Sequence, residues 1–122
     1  MSAAGPPRVL VLEDEWLIAD HLGWMLTDLG YEVVGPVSTA HDALAVIEAG
    51  PPDAAVLDVS LASGKSFAVA EALARRSVPF IFLTGYASAD LPPALRETPI
   101  LGKPVSPLDL KVRLEAIVAA VR

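Results

Sequence analysis

Three short runs, Val9–Leu12, Ala54–Leu57 and Phe80–Leu83, are apolar at every position. A strand with one wet face alternates polar and apolar residues. A strand apolar throughout is buried on both faces, as in a parallel sheet covered by helices. The segments between these runs carry helical spacing instead. Trp16 to Leu29 places Ile18, Leu22, Met25, Leu26 and Leu29 on one face, and Gly30 stops it. Glu32 to Val37 reads as a further strand. Ser38-Thr39 opens a helix to Glu48, with Thr39 and Asp42 spaced as a capping box, and Gly50-Pro51-Pro52 breaks it. Ala54 to Val59 is a third strand, Leu61 to Lys65 a loop, and Ser66 to Arg76 a helix. After a strand over Phe80 to Thr84, Asp90 to Glu97 supports at best a short helix, because Pro92 and Pro93 fit only a first turn. Pro99 to Leu101 is a brief fifth strand. Ser106 caps a last helix, with Pro107 at its first position and Leu110, Leu114, Ile117, Val118 and Val121 apolar. Five strands alternating with five helices predict an α/β fold, a doubly wound parallel sheet with helices on both faces.

Composition excludes several functions. The 122 residues suffice for one domain, over residues 8–122, after a short flexible lead-in at 1–7. Apolar residues at 53% and charged residues at 20% argue against disorder. There is no Cys, and His21 and His41 stand far apart, so disulfides are impossible and a zinc site is improbable. A net charge of -6 argues against nucleic acid as a partner. No apolar run is long enough to span a membrane, and MSAAGPPR lacks the pattern of a signal peptide. A cytoplasmic protein is the default expectation.

In doubly wound sheets the functional crevice lies beyond the carboxyl ends of the strands. Those ends here carry Glu13-Asp14, Asp58, Thr84 and Lys103. Three carboxylates on neighbouring strands repel one another unless a cation neutralises them. A small all-oxygen set with room for water suits Mg²⁺. A hydroxyl and an ammonium facing a metal-bound carboxylate suit the oxygens of a phosphoryl group, and a carboxylate can itself form an acyl phosphate. Taken singly, each residue has an ordinary reading: Asp14 as a helix cap, Asp58 as a loop residue, Thr84 as a β-branched strand end, Lys103-Pro104 as a turn. Their joint placement on the correct strand ends is what points to a site.

The pieces Leu12-Glu13-Asp14-Glu15, Val56-Leu57-Asp58-Val59, Phe82-Leu83-Thr84-Gly85 and Gly102-Lys103-Pro104 together resemble the receiver domain of bacterial two-component response regulators, over nearly the whole chain. The resemblance implies a flavodoxin-like sheet of order 2-1-3-4-5. It implies that Asp58 accepts a phosphoryl group from a sensor histidine kinase or a histidine phosphotransfer protein. It further implies Mg²⁺ on Asp14, Asp58 and the Ser60 backbone carbonyl, with Glu13 bound directly or through water. Thr84 and Lys103 would contact phosphoryl oxygens, and the Lys103–Pro104 peptide would be cis. Such a domain catalyses only its own phosphorylation and dephosphorylation, and signals to a downstream protein target.

Three features depart from the family pattern. The loop after Asp58 reads VSLASGKS, without the usual Met-Pro. The segment between Thr84 and Lys103 is short. Ile100 stands where receivers usually carry an aromatic switch residue, while Tyr86 follows Thr84-Gly85. Phe82-Leu83-Thr84-Gly85-Tyr86 is similar to the signature of the so-called FATGUY receivers, often stand-alone and some linked to stress responses. The expectations are that Thr84 and Tyr86 form the switch, that Ser60 and Tyr86 flank the acceptor and set the phosphoryl lifetime, and that the protein is a monomer or weak dimer. A single-domain regulator without a DNA-binding output domain is expected, the alternative being the receiver portion of a longer chain. Leu17, His21 and Trp24 share a stripe of the first helix. The expectation is that Trp24 packs on the last helix, with a docking face for histidine-bearing helices as the alternative. A haloacid-dehalogenase-type phosphatase would need a second Asp at position 60, which is Ser, and a dinucleotide fold needs a GxGxxG that is absent. The remaining rival is a receiver that is never phosphorylated and only binds other proteins.

Overall fold

The computed structural model describes residues 5–85 and 91–121. The elements run β1 (Arg8–Leu12), α1 (Trp16–Asp28), β2 (Glu32–Val37), α2 (Ala40–Ala49), β3 (Ala54–Asp58), β4 (Ser60–Leu61), β5 (Gly64–Lys65), α3 (Phe67–Arg75), β6 (Phe80–Thr84), a 3-10 turn (Pro93–Leu95), β7 (Ile100–Gly102) and α4 (Pro107–Val121). Five strands form one sheet of order β2-β1-β3-β6-β7 with every pairing parallel. With the two-residue strands β4 and β5 set aside, this is the expected order 2-1-3-4-5.

The continuous apolar runs are explained by the two faces of this sheet, because successive strand side chains point to opposite sides. Leu10, Leu12, Ala55, Leu57, Phe80 and Phe82 face α2 and α3, where Ile47, Val69 and Leu73 meet them. The intervening Val9, Val11, Ala54, Val56, Ile81 and Leu83 face α1 and α4, where Leu22, Leu26, Leu110 and Leu114 meet them. Phe82 packs edge-on against both Phe67 and Phe80, with ring centroids 6.2 and 5.6 Å apart. Burial of both faces is the main stabilising term, at about 25 cal/mol per Å² of apolar area.

Local signals act as their chemistry predicts. Thr39 Oγ accepts the Asp42 N–H at 3.1 Å and caps α2, and Ser106 Oγ accepts the Asp109 N–H at 3.3 Å at the start of α4. Gly30 has φ +95 and ends α1. Within β2, Gly35 has φ +97, precedes a cis peptide to Pro36, and coincides with a register shift against β1. A Cβ there would lie 2.7 Å from the Val37 nitrogen, so only glycine fits.

Three expectations are corrected. The segment Leu61–Lys65 is not a plain loop: Ser60–Leu61 and Gly64–Lys65 pair as an antiparallel hairpin. Its turn is made by Ala62 and Ser63, and Gly64 follows at φ +132. The fourth helix is, among the described residues, only the 3-10 turn over Pro93–Leu95, with Pro92 as its N-cap and Pro93 at its first position. Trp24 does not pack on the last helix: it is 74% exposed, on the side of α1 turned away from the sheet.

Candidate functional site

The parallel sheet brings the ends of β1, β3, β6 and β7 to one edge. Lys103 N–H donates to the Thr84 carbonyl at 3.0 Å, and Val59 N–H to the Leu83 carbonyl at 3.0 Å, so the loops leave the sheet in a fixed register. A cleft of about 390 Å³ opens there, lined by Glu15, Asp58, Ser60, Thr84, Gly85 and Lys103.

At its floor, Glu13 and Asp58 are buried and Asp14 is half-buried. One carboxylate oxygen from each lies within 4.8 Å of the others. Lys103 Nζ sits 2.9 Å from Glu13 Oε1 and 3.1 Å from Asp58 Oδ2. The Glu13 contact is an ion pair without hydrogen-bond alignment, so Oε1 is buried with a counter-charge but no directed donor. The remaining carboxylate oxygens are held by the backbone: Glu13 Oε2 accepts the Glu15 N–H at 3.1 Å, Asp58 Oδ1 the Ser60 N–H at 3.2 Å, and Asp14 Oδ2 the Ala62 N–H.

The electrostatics follow from burial and charge count. Burial pushes the Glu13 carboxyl above the ordinary glutamate value, partly offset by Lys103 and the Glu15 N–H, while Asp58 pushes it further up. Burial alone would lower the Lys103 ammonium, but Glu13 and Asp58 outweigh it and hold it above the ordinary lysine value. Fully ionised, three carboxylates and one ammonium leave two negative charges, the complement of one divalent cation. The donors are all oxygen, and the residues present therefore fit Mg²⁺.

The structure brings Glu13, Asp14, Asp58, Ser60, Thr84 and Lys103 to this one edge. Thr84 is half-buried at the cleft wall and Ser60 is exposed at its rim. Ile100 is set apart: it pairs in register with Phe82 and packs against the core on the α2–α3 side. Tyr86 lies outside the described residues. The Lys103–Pro104 peptide is cis, as the resemblance implied.

Sequence reasoning missed one residue of the site. Ser66 is wholly buried, and its hydroxyl donates to the Asp58 main-chain carbonyl at 2.6 Å. It reads as an N-cap, yet that hydroxyl caps nothing in α3 and ties the hairpin exit to the strand end instead. The dipeptide Ser63-Gly64 was the available signal for the turn that brings it back.

A second concavity, an apolar groove of about 580 Å³, runs along α1 to the β7–α4 loop, lined by Leu17, Ile18, His21, Met25, Pro104 and Val105 among others. Trp16 and Leu17 are 75% and 66% exposed on the same helix. Among the described residues, no helix is long and apolar enough to cross a membrane.

The chain is similar in sequence and fold to known proteins. The family model for the response regulator receiver domain matches residues 9–115. The transcriptional regulatory protein PdtaR of Mycobacterium tuberculosis (strain H37Rv) is 33% identical over 120 residues, covering 98% of this chain and 58% of that protein. The chain thus spans little more than half the length of that relative. The solution structure of SdrG from Sphingomonas melonis Fr1 is 43% identical with a TM-score of 0.81, covering 97% of this chain and 99% of that one. A PhyR stress response regulator is 29% identical with a TM-score of 0.76, covering 92% of this chain and 45% of that one. The chain belongs to the response regulator receiver domain family of two-component signalling proteins.

Proposed function

We propose that this receiver is a phosphorylated switch, with Asp58 as the acceptor. The observation that carries the reading is Lys103 Nζ, held between Glu13 and Asp58 at 2.9 and 3.1 Å above a cluster of carboxylates that matches one divalent cation in charge. Such an arrangement has little structural purpose, since buried acids repel each other and cost stability.

Glu13, Asp14, Asp58 and the Ser60 backbone carbonyl would hold Mg²⁺, with Glu13 direct or through water. The ion would supply charge neutralisation for an incoming phosphoryl group. Asp58 attacks phosphorus of a phosphohistidine on a sensor kinase or phosphotransfer protein, and the imidazole leaves. Lys103 neutralises one phosphoryl oxygen and Thr84 donates its hydroxyl to another, which draws Thr84 inward. Tyr86, two residues on, follows through Gly85 and relays the change in place of the aromatic absent at Ile100. Ser60 and Tyr86 control water access and hence phosphoryl lifetime.

The likeness to SdrG and PhyR supports assignment to the FATGUY receivers and a role in a stress response. The groove along α1 supports docking of the histidine-bearing helices there, with the exposed Trp16 and Leu17 beside it. A downstream protein target then reads the switched surface.

Incubation with Mg²⁺ and phosphoramidate, followed by intact mass measurement, tests the reading. One added phosphoryl group on wild type and none on Asp58→Asn is expected. No addition to wild type favours the rival reading of a receiver that binds proteins without being phosphorylated, and equal addition to Asp58→Asn overturns Asp58 as the acceptor.

A further inference from the structure

The hairpin after the acceptor strand carries a cation that the phosphoryl site does not use directly. Lys65 Nζ donates to Ser60 Oγ at 2.8 Å. The two residues are directly opposed in the antiparallel β4–β5 pair, so the contact is set by backbone register. The hairpin itself is fastened on both sides. Asp14 Oδ2 accepts the Ala62 N–H at its turn, and Ser66 bonds back to Val59 and Asp58 at its exit. Lys65 is exposed and does not line the cleft, whereas Ser60 and Asp58 both do.

An ammonium has donors only, whereas a hydroxyl has one proton to give and two lone pairs. Bonded to Lys65, the Ser60 oxygen must accept, which leaves its proton for another partner. Ser60 N–H already holds Asp58 Oδ1 at 3.2 Å, so the residue is fixed over the acceptor carboxylate. We infer that Lys65 is a positioning residue for the aspartyl phosphate: it polarises and aims the Ser60 hydroxyl at a phosphoryl oxygen, which keeps water out of the line of attack and lengthens the phosphoryl lifetime. The inference rests on Asp58 being the acceptor. In the reaction that is slowed, water oxygen bonds to phosphorus, the bond from phosphorus to the Asp58 carboxylate oxygen breaks, and Asp58 carboxylate and inorganic phosphate are released. The proton of the water passes to solution. Only this chain and water take part.

The test is decay of the phosphorylated protein after removal of phosphoramidate, followed by intact mass, for wild type, Lys65→Met, Lys65→Arg, Ser60→Ala and the Lys65→Met/Ser60→Ala pair. Loss of one charge-assisted contact to a site group predicts decay about threefold to tenfold faster in Lys65→Met. Lys65→Arg, which keeps a donor-only cation, retains most of the lifetime. In the Ser60→Ala background Lys65→Met changes nothing further, because its effect passes through that hydroxyl. Added salt speeds wild-type decay toward the Lys65→Met rate, which a purely structural role would not do. Equal or slower decay in Lys65→Met, or the same acceleration with and without Ser60, overturns the inference while the acceptor assignment stands. Failure of every variant and of wild type to take up phosphate overturns both.

Discussion

Replacing Lys103 with methionine tests the electrostatic core of the account without any phosphodonor. The substitution keeps an unbranched apolar side chain, one heavy atom shorter, and removes the charge. In wild type the ammonium is 2.9 Å from a Glu13 side chain with 0% exposure and 3.1 Å from an Asp58 side chain with 6% exposure. Removing one partner of a buried pair costs about 3 to 5 kcal/mol, because the other charge stays buried and unpaired. Two effects lower that figure here. Lys103 is itself 16% exposed, so water reaches the contact. Glu13 can also escape by taking up a proton, which for an ordinary glutamate at pH 7 costs about 3.7 kcal/mol, and less once burial has raised its pKa. The expected loss is therefore about 2 to 3 kcal/mol at pH 7 in the presence of EDTA. Urea unfolding followed by far-UV circular dichroism measures it as a lower midpoint at unchanged slope. Adding Glu13→Gln to Lys103→Met removes the stranded charge and recovers part of the loss. Saturating Mg²⁺ recovers stability too, since a ligand of the folded state alone stabilises it by mass action. A loss under about 0.5 kcal/mol in EDTA, of the size expected for an exposed ion pair, would refute the reasoning.

Other predictions follow from single contacts. Ser66→Ala removes a buried hydroxyl from the Asp58 carbonyl and should cost about 1 to 2 kcal/mol in the same urea assay, with slower phosphoryl uptake at Asp58. Gly35→Ala drives a Cβ to 2.7 Å from the Val37 nitrogen at φ +97 and should cost about 1 to 3 kcal/mol, read as a lower thermal midpoint. Tyr86→Ala should leave uptake on Asp58 intact but alter phosphoryl lifetime or target binding; no change in either removes Tyr86 from the relay. Trp16 and Trp24, 75% and 74% exposed, should be fully open to acrylamide quenching, and a protected tryptophan would contradict the exposed face of α1.

The sheet was legible because burial on both faces leaves a plain mark. Phe80–Thr84 and Glu32–Val37 appear in the structure with the bounds the sequence suggested, and Ala54 starts its strand as expected. The edge strand β2 was located too, but its distortion at Gly35-Pro36 was not, since it depends on pairing with β1. The gathering of Glu13, Asp14, Asp58, Thr84 and Lys103 was legible from topology, because parallel strands must end on one edge. What topology could not supply was pairing. Nothing in the chain order says that Lys103 bridges Glu13 and Asp58, or that Ser66 spends its hydroxyl on Asp58 and not on its own helix. The hairpin was hidden for a related reason: two-residue strands have no periodicity, and only Ser63-Gly64 hints at them. Trp24 misled because helical spacing gives a face but not the neighbour that face meets.

The central claim is that Asp58 carries the phosphoryl group, and trapping the acyl phosphate locates it most directly. Protein loaded with phosphoramidate and Mg²⁺ is reduced with borohydride, which converts a phosphorylated aspartate to homoserine, and then digested and mapped by tandem mass spectrometry. The account predicts homoserine at position 58 alone, dependent on Mg²⁺ and abolished by EDTA. Homoserine at Asp14 or elsewhere, or none at any position despite phosphoryl uptake, would contradict it.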